Sequence, residues 1–155
     1  MRAPGCHMYQ TFEEIRRLAE EGLTGCQIEL GNSYLTGRDP NGDPCDVNFE
    51  LARQWLERAH EKDASTATFL LGTLYEDAKG VQPDIVKAIE LYVAAANRGS
   101  FYPCLHLARI YANGKGVHRS LTSAAQWYRR VLAVESEVDD RAAIMEARDF
   151  FAQTR

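Results

Sequence analysis

The sequence predicts an all-α chain: a right-handed α-solenoid of stacked antiparallel helix pairs, about eight helices in all. Three observations carry that expectation. Residues 64–99 read as two amphipathic helices joined by a glycine-containing loop, and the pattern returns about 36 residues on, from Ser100. Asn48, Asp84 and Ser120 stand 36 residues apart, each directly before a helical apolar pattern. All three are types whose side-chain oxygen caps a helix by accepting a free backbone N–H. Alanine is abundant and β-branched runs are few, which favours helix over strand.

Taken in order, residues 1–9 read as a flexible arm. Thr11 then caps a helix, with Glu14 placed to complete a capping box. Phe12, Ile15, Leu18 and Ala19 share one face of it, and Gly22 ends it. This segment, 10–22, is a half repeat: a second helix without a first.

Repeat one spans 23–63, with Cys26, Ile28, Leu30, Gly31 and Tyr34 on its first helix. Its second helix follows Asn48 and carries Leu51, Ala52, Trp55, Leu56 and Ala59. Repeat two, 64–99, aligns Ala67, Leu71, Gly72 and Tyr75 with those first-helix positions, then turns at Gly80 and Val81 and resumes after Asp84. Repeat three, 100–135, aligns Pro103, Leu107, Ala108 and Tyr111 and turns at Gly116 and Val117. The last segment, 136–155, makes one capping helix, in which Ala143, Ala147 and Phe151 take first-helix places after a four-residue shift. Arg148 stands there where Gly72 stands in repeat two, and a long charged side chain keeps a further helix away. The stripe aromatics Tyr34, Tyr75, Tyr111, Trp55 and Trp127 are expected in the core.

Of the 155 residues, 45% are hydrophobic and 26% charged, the balance of one ordinary globular domain over 10–155. The formal net charge of -4 argues against nucleic acid as partner. No window has the roughly 18 apolar residues of a membrane span, and the first residues lack a signal-peptide core. Cys6, Cys26, Cys45 and Cys104 are irregularly spaced without a CxxC, so reduced thiols and a cytoplasmic location are expected.

The run from Ala67 through Leu71, Gly72, Tyr75, Gly80, Val81, Asp84, Lys87, Ala88, Tyr92 and Ala95 to Gly99 resembles the Sel-1-like repeat, a relative of the tetratricopeptide repeat. Repeat three shares Tyr111, Gly116, Val117, Ala124, Trp127 and Tyr128 with that pattern. The resemblance covers about residues 23–135. It implies a non-catalytic bacterial adaptor or scaffold that binds a protein or peptide on the concave face formed by the first helices. Small relatives also imply an alternative, an immunity or regulatory protein that holds a toxin or enzyme. Secreted relatives described as β-lactam hydrolases are rich in regularly paired cysteines, which this sequence is not. Self-association through an incomplete end is a third reading.

Helical geometry turns positions 66, 69, 73, 76 and 77 of repeat two toward the groove, together with their counterparts 25, 28, 32, 35 and 36 and 102, 105, 109, 112 and 113. The candidate partner-binding residues are Asn32, Thr73, Glu76, Asp77, Tyr102, Arg109 and Asn113. No catalytic set, cofactor or metal site is assigned. Asp39, Asn41, Asp43 and Glu50 have the spacing of a calcium loop, but Pro44 stands where that loop needs glycine. His7, His60, His106 and His118 share no ligand spacing.

Overall fold

One backbone hydrogen bond, made three times, sets the geometry of the repeat. The N–H of Asn48 donates to the carbonyl of Tyr34 at 2.9 Å, that of Asp84 to Tyr75 at 3.1 Å, and that of Ser120 to Tyr111 at 2.9 Å. It closes each loop by tying the residue before a second helix to the tyrosine near the end of the first. The side chains of Asn48 and Ser120 then accept from the N–H groups of Leu51 and Ser123, satisfying donors that an open helix end leaves free.

The computed structural model describes residues 11–134 and 139–154. Among these it has eight α-helices and no strand beyond a single bridge between Arg38 and Pro44. They are α1 Phe12–Glu20, α2 Thr24–Thr36, α3 Phe49–His60, α4 Ser65–Glu76, α5 Ile85–Asn97, α6 Phe101–Asn113, α7 Leu121–Ala133 and α8 Arg141–Gln153. No described helix is long and apolar enough to cross a membrane. The expected flexible arm lies outside the described residues. The chain divides between Asp84 and Ile85 into two compact units, α1–α4 and α5–α8.

In the first unit Ile15, Ala19, Cys26, Leu30, Tyr34, Ala52 and Trp55 form a buried cluster. Gly31 lets α2 and α3 meet: a Cβ there would lie 2.7 Å from Leu56 Cγ. His60 acts as a strut, its Nδ1 lying 2.8 Å from Thr68 Oγ1 across α3 and α4. Lys62 Nζ donates to the carbonyl of Gly22 just past α1. In the second unit Tyr92, Leu107, Ile110 and Val131 are buried between α5, α6 and α7. Arg130 of α7 reaches back to the end of α5, donating to Ala96 O at 2.7 Å and Asn97 Oδ1 at 3.2 Å.

The Gly–Val pairs of the loops have a specific task. Gly80 has φ +68°, and a Cβ on it would lie 2.5 Å from Phe49 Cβ, the first residue of α3. Gly116 has φ +69°, and its Cβ would lie 2.8 Å from Ile85 Cγ2, the first residue of α5. Each glycine both adopts a left-handed conformation and lies against the start of the preceding second helix.

Two expectations need correction. Cys26 is disulfide-bonded, so the four thiols are not all free, and irregular spacing no longer supports a reducing compartment. Cys6 lies outside the described residues. Tyr34 and Trp55 are buried, but Tyr75, Tyr111 and Trp127 are only half-buried; Trp127 carries the Arg130 guanidinium 4.8 Å above its ring. The calcium-like spacing is a self-bonded turn: Asp39 Oδ1 accepts the N–H groups of Asn41 and Asp43 at 2.9 and 2.8 Å, and Glu50 pairs with Arg53.

Candidate partner-binding faces

On the first helices the predicted stripe is exposed or half-buried, except at Leu105. On α2, Asn32 is exposed and its side-chain amide makes no hydrogen bond among the described residues. On α4, Thr73 and Glu76 are half-buried; Thr73 Oγ1 donates to its own helix at Leu70 O, 2.8 Å. Asp77 caps the end of α4 and pairs with Lys79 at 3.0 Å. On α6, Tyr102 is 50% exposed and its ring stands edge-on to Phe101. Leu105, placed in the same stripe by the periodicity, is buried.

Arg109 is exposed but engaged. Its Nε donates to Glu146 Oε1 of α8 at 2.9 Å and its Nη2 to Oε2, a two-point guanidinium–carboxylate pair. Tyr128 of α7 donates its hydroxyl to the same Glu146 Oε1 at 2.8 Å. Glu146 thus joins three helices. The Arg109 hydrogen bond holds the Glu146 carboxyl below its usual range, with Tyr128 adding to the effect. Burial, followed by the Glu146 contact, pushes the Tyr128 phenol well up.

A carboxylate whose folded pKa is depressed contributes stability that is present above its unfolded value and lost as pH falls through the folded value. The window therefore opens near the ordinary 4.5 and extends downward. Acid titration of the thermal midpoint should fall less steeply in Glu146→Gln than in the parent below about pH 4.5. Parallel curves would place the acid sensitivity elsewhere.

Beside this clasp, α6 and α8 bound a groove of about 750 Å³. Asn113 lies at one wall and Met145, Asp149 and Gln153 at the other, with Arg119 at the loop. Arg119 Nε is spent on Ala112 O at 2.9 Å, which leaves the rest of its guanidinium to the groove. Met145 is 60% exposed, a flexible apolar contact of the kind that adapts to varied partners.

Of the predicted set, Tyr102, Arg109 and Asn113 lie on α6 in the second unit, and of these Asn113 lines the groove; Asn32, Thr73, Glu76 and Asp77 belong to the first unit. Sequence reasoning missed Met145, Asp149 and Gln153. The signal was present: the four-residue shift that aligns α8 with the first helices sends 105, 109 and 113 to these three positions. Among the described residues no group of histidines, cysteines and carboxylates is arranged to hold a metal.

The Sel1 repeat family model matches residues 24–63, 65–100 and 104–130. Among solved structures, a Sel1 repeat protein from Oxalobacter formigenes is similar at 25% identity and TM-score 0.71, over 84% of this chain and 96% of that one. The protective antigen c5321 of uropathogenic Escherichia coli, which displays an SLR fold, is similar at 27% identity and TM-score 0.71, over 81% of this chain but 26% of that one. Helicobacter pylori cysteine rich protein B has TM-score 0.63 at 20% identity, over 87% of this chain and 96% of that one, and speaks to the fold alone. No curated protein matches significantly.

Proposed function

The chain belongs to the Sel1 repeat family, whose members are generally protein-interaction scaffolds, and from this premise we propose that it is a non-catalytic adaptor binding a protein or peptide on its first-helix faces. The observation that carries the reading is the α6–α8 groove. The amides of Asn113 and Gln153 and the Asp149 carboxylate make no hydrogen bond or ion pair among the described residues, beside the exposed Met145. Such groups suit an extended peptide: amides pair with its backbone, and Met145 receives an apolar side chain. In the first unit, Asn32 and Thr73 offer the same chemistry on α2 and α4. A groove formed before binding lowers the ordering cost of association.

The test is comparative capture from native lysate followed by mass spectrometry. Asn113→Arg combined with Met145→Glu should deplete specific captured proteins at least about tenfold, as hot-spot substitutions do, with helicity and melting midpoint unchanged. An identical captured set from parent and variant would refute binding at this groove.

A further inference from the structure

We propose that a disulfide joins Cys6 to the fully buried Cys26 and staples the residues before α1 to α2. The bond is a modification of the chain, independent of the binding faces described above.

The sequence has cysteines at 6, 26, 45 and 104. Cys26 is disulfide-bonded. Cys45 and Cys104 are free thiols, each with its sulfur 3.4 Å from a backbone carbonyl, Cys45 on Ser33 O and Cys104 on Ser100 O. Within one chain the partner of Cys26 is therefore Cys6, which lies outside the described residues.

The reach of the chain permits this bond. Cys26 belongs to one buried cluster with Ile15 and Ala19 of α1, so its side chain faces that helix. The neighbouring Gln27 fixes the pairing of the two helices, its amide donating to Ala19 O at 3.1 Å. At the rise of an α-helix, Ile15 and Ala19 stand about 6–12 Å along the axis from Thr11, and packed helix axes are about 8–10 Å apart. The residues from Cys6 to Thr11 span up to about 17 Å when extended. A disulfide adds up to about 7 Å between Cα atoms. Cys6 thus reaches Cys26 without disturbing α1 or the cap that Thr11 makes on Glu14 N–H.

The bond closes a loop of about 20 residues that contains the whole of α1, and such closure stabilises mainly by restricting the unfolded chain. Reduction by exchange needs access to a sulfur. Cys26 is 0% exposed, so the bond resists reductants while α1 and α2 stay packed, as a structural disulfide does. Forming it removes two protons and two electrons from the two thiols. An oxidant of the glutathione-disulfide or dithiol-oxidase class accepts them and leaves as two thiols. The chain therefore matures in an oxidising compartment.

The test counts thiols. The full chain, equilibrated with oxidised and reduced glutathione, is alkylated with iodoacetamide in urea before and after reduction. Two carbamidomethyl groups are expected before and four after. A tryptic digest without reductant should contain residues 3–16 linked to residues 18–38. Reduction of the parent should lower its thermal midpoint by about 5–10 °C, and Cys6→Ser should show the same loss with no further change on reduction. Cys6→Ser removes the bond and leaves Cys26 in its buried place, which Cys26→Ser would disturb. Cys45→Ser should leave the linked peptides intact. Four alkylated thiols in the unreduced parent would overturn the proposal. So would a link from Cys26 to Cys45, Cys104 or a second copy, or a midpoint indifferent to both reduction and Cys6→Ser.

Discussion

Gly80→Val should cost about 2–6 kcal/mol of folding stability, read as a lowered urea midpoint. Two terms combine. At φ +68° a β-branched residue is strained by about 1–3 kcal/mol. Its Cβ would also meet Phe49 Cβ at 2.5 Å, an atom fixed next to the backbone that cannot rotate away, and overpacking of that kind costs about 1–3 kcal/mol. Gly42→Val is the control: φ is +90°, but nothing lies within 4 Å of the added Cβ, so the conformational term remains without the contact. If the two substitutions cost the same, the contact between Gly80 and the start of α3 is not tight.

The second large effect is a charge reversal. Arg109→Glu should lose about 1.5–3 kcal/mol, because it sets two carboxylates against each other at the place where α6, α7 and α8 meet. The magnitude lies between the exposed and buried cases, since the Arg109 and Glu146 side chains are 47% and 32% accessible. The swapped pair, Arg109→Glu with Glu146→Arg, should recover at least half of the loss in a thermal melt. A swap no better than the single variant would mean that the local fit of Arg109, not its charge, holds α8. Either way, reversal at Arg109 does not isolate binding from folding, and Asn113 is the cleaner probe of the face.

The sequence made the repeat legible because its marks are local. Asn48 and Ser120 are capping types, and they cap. Leu71, Leu107 and Ala108 follow helical spacing, and they are buried. What escaped depends on partners far along the chain. Glu146 lies 37 residues from Arg109, on a helix whose register is offset by four, so the ion pair breaks the period that revealed everything else. The bond from each capping residue to a tyrosine carbonyl uses backbone atoms alone, and no residue type announces it. Cys26 looked like a small apolar core residue, and it is buried, but spacing gave no hint of its disulfide. The candidate face was legible as a stripe; the engagement of its individual side chains was not.

The division between Asp84 and Ile85 falls inside repeat two, between its own two helices. The family repeat is a helix pair, first helix then second, whereas the contact of His60 with Thr68 joins the second helix of one pair to the first helix of the next. A crossover in the loop between α3 and α4 therefore cuts through an interface that His60 and Thr68 help to hold. Lengthening such an array by duplication is thus constrained less by where the sequence pattern restarts than by which helices must inherit compatible neighbours.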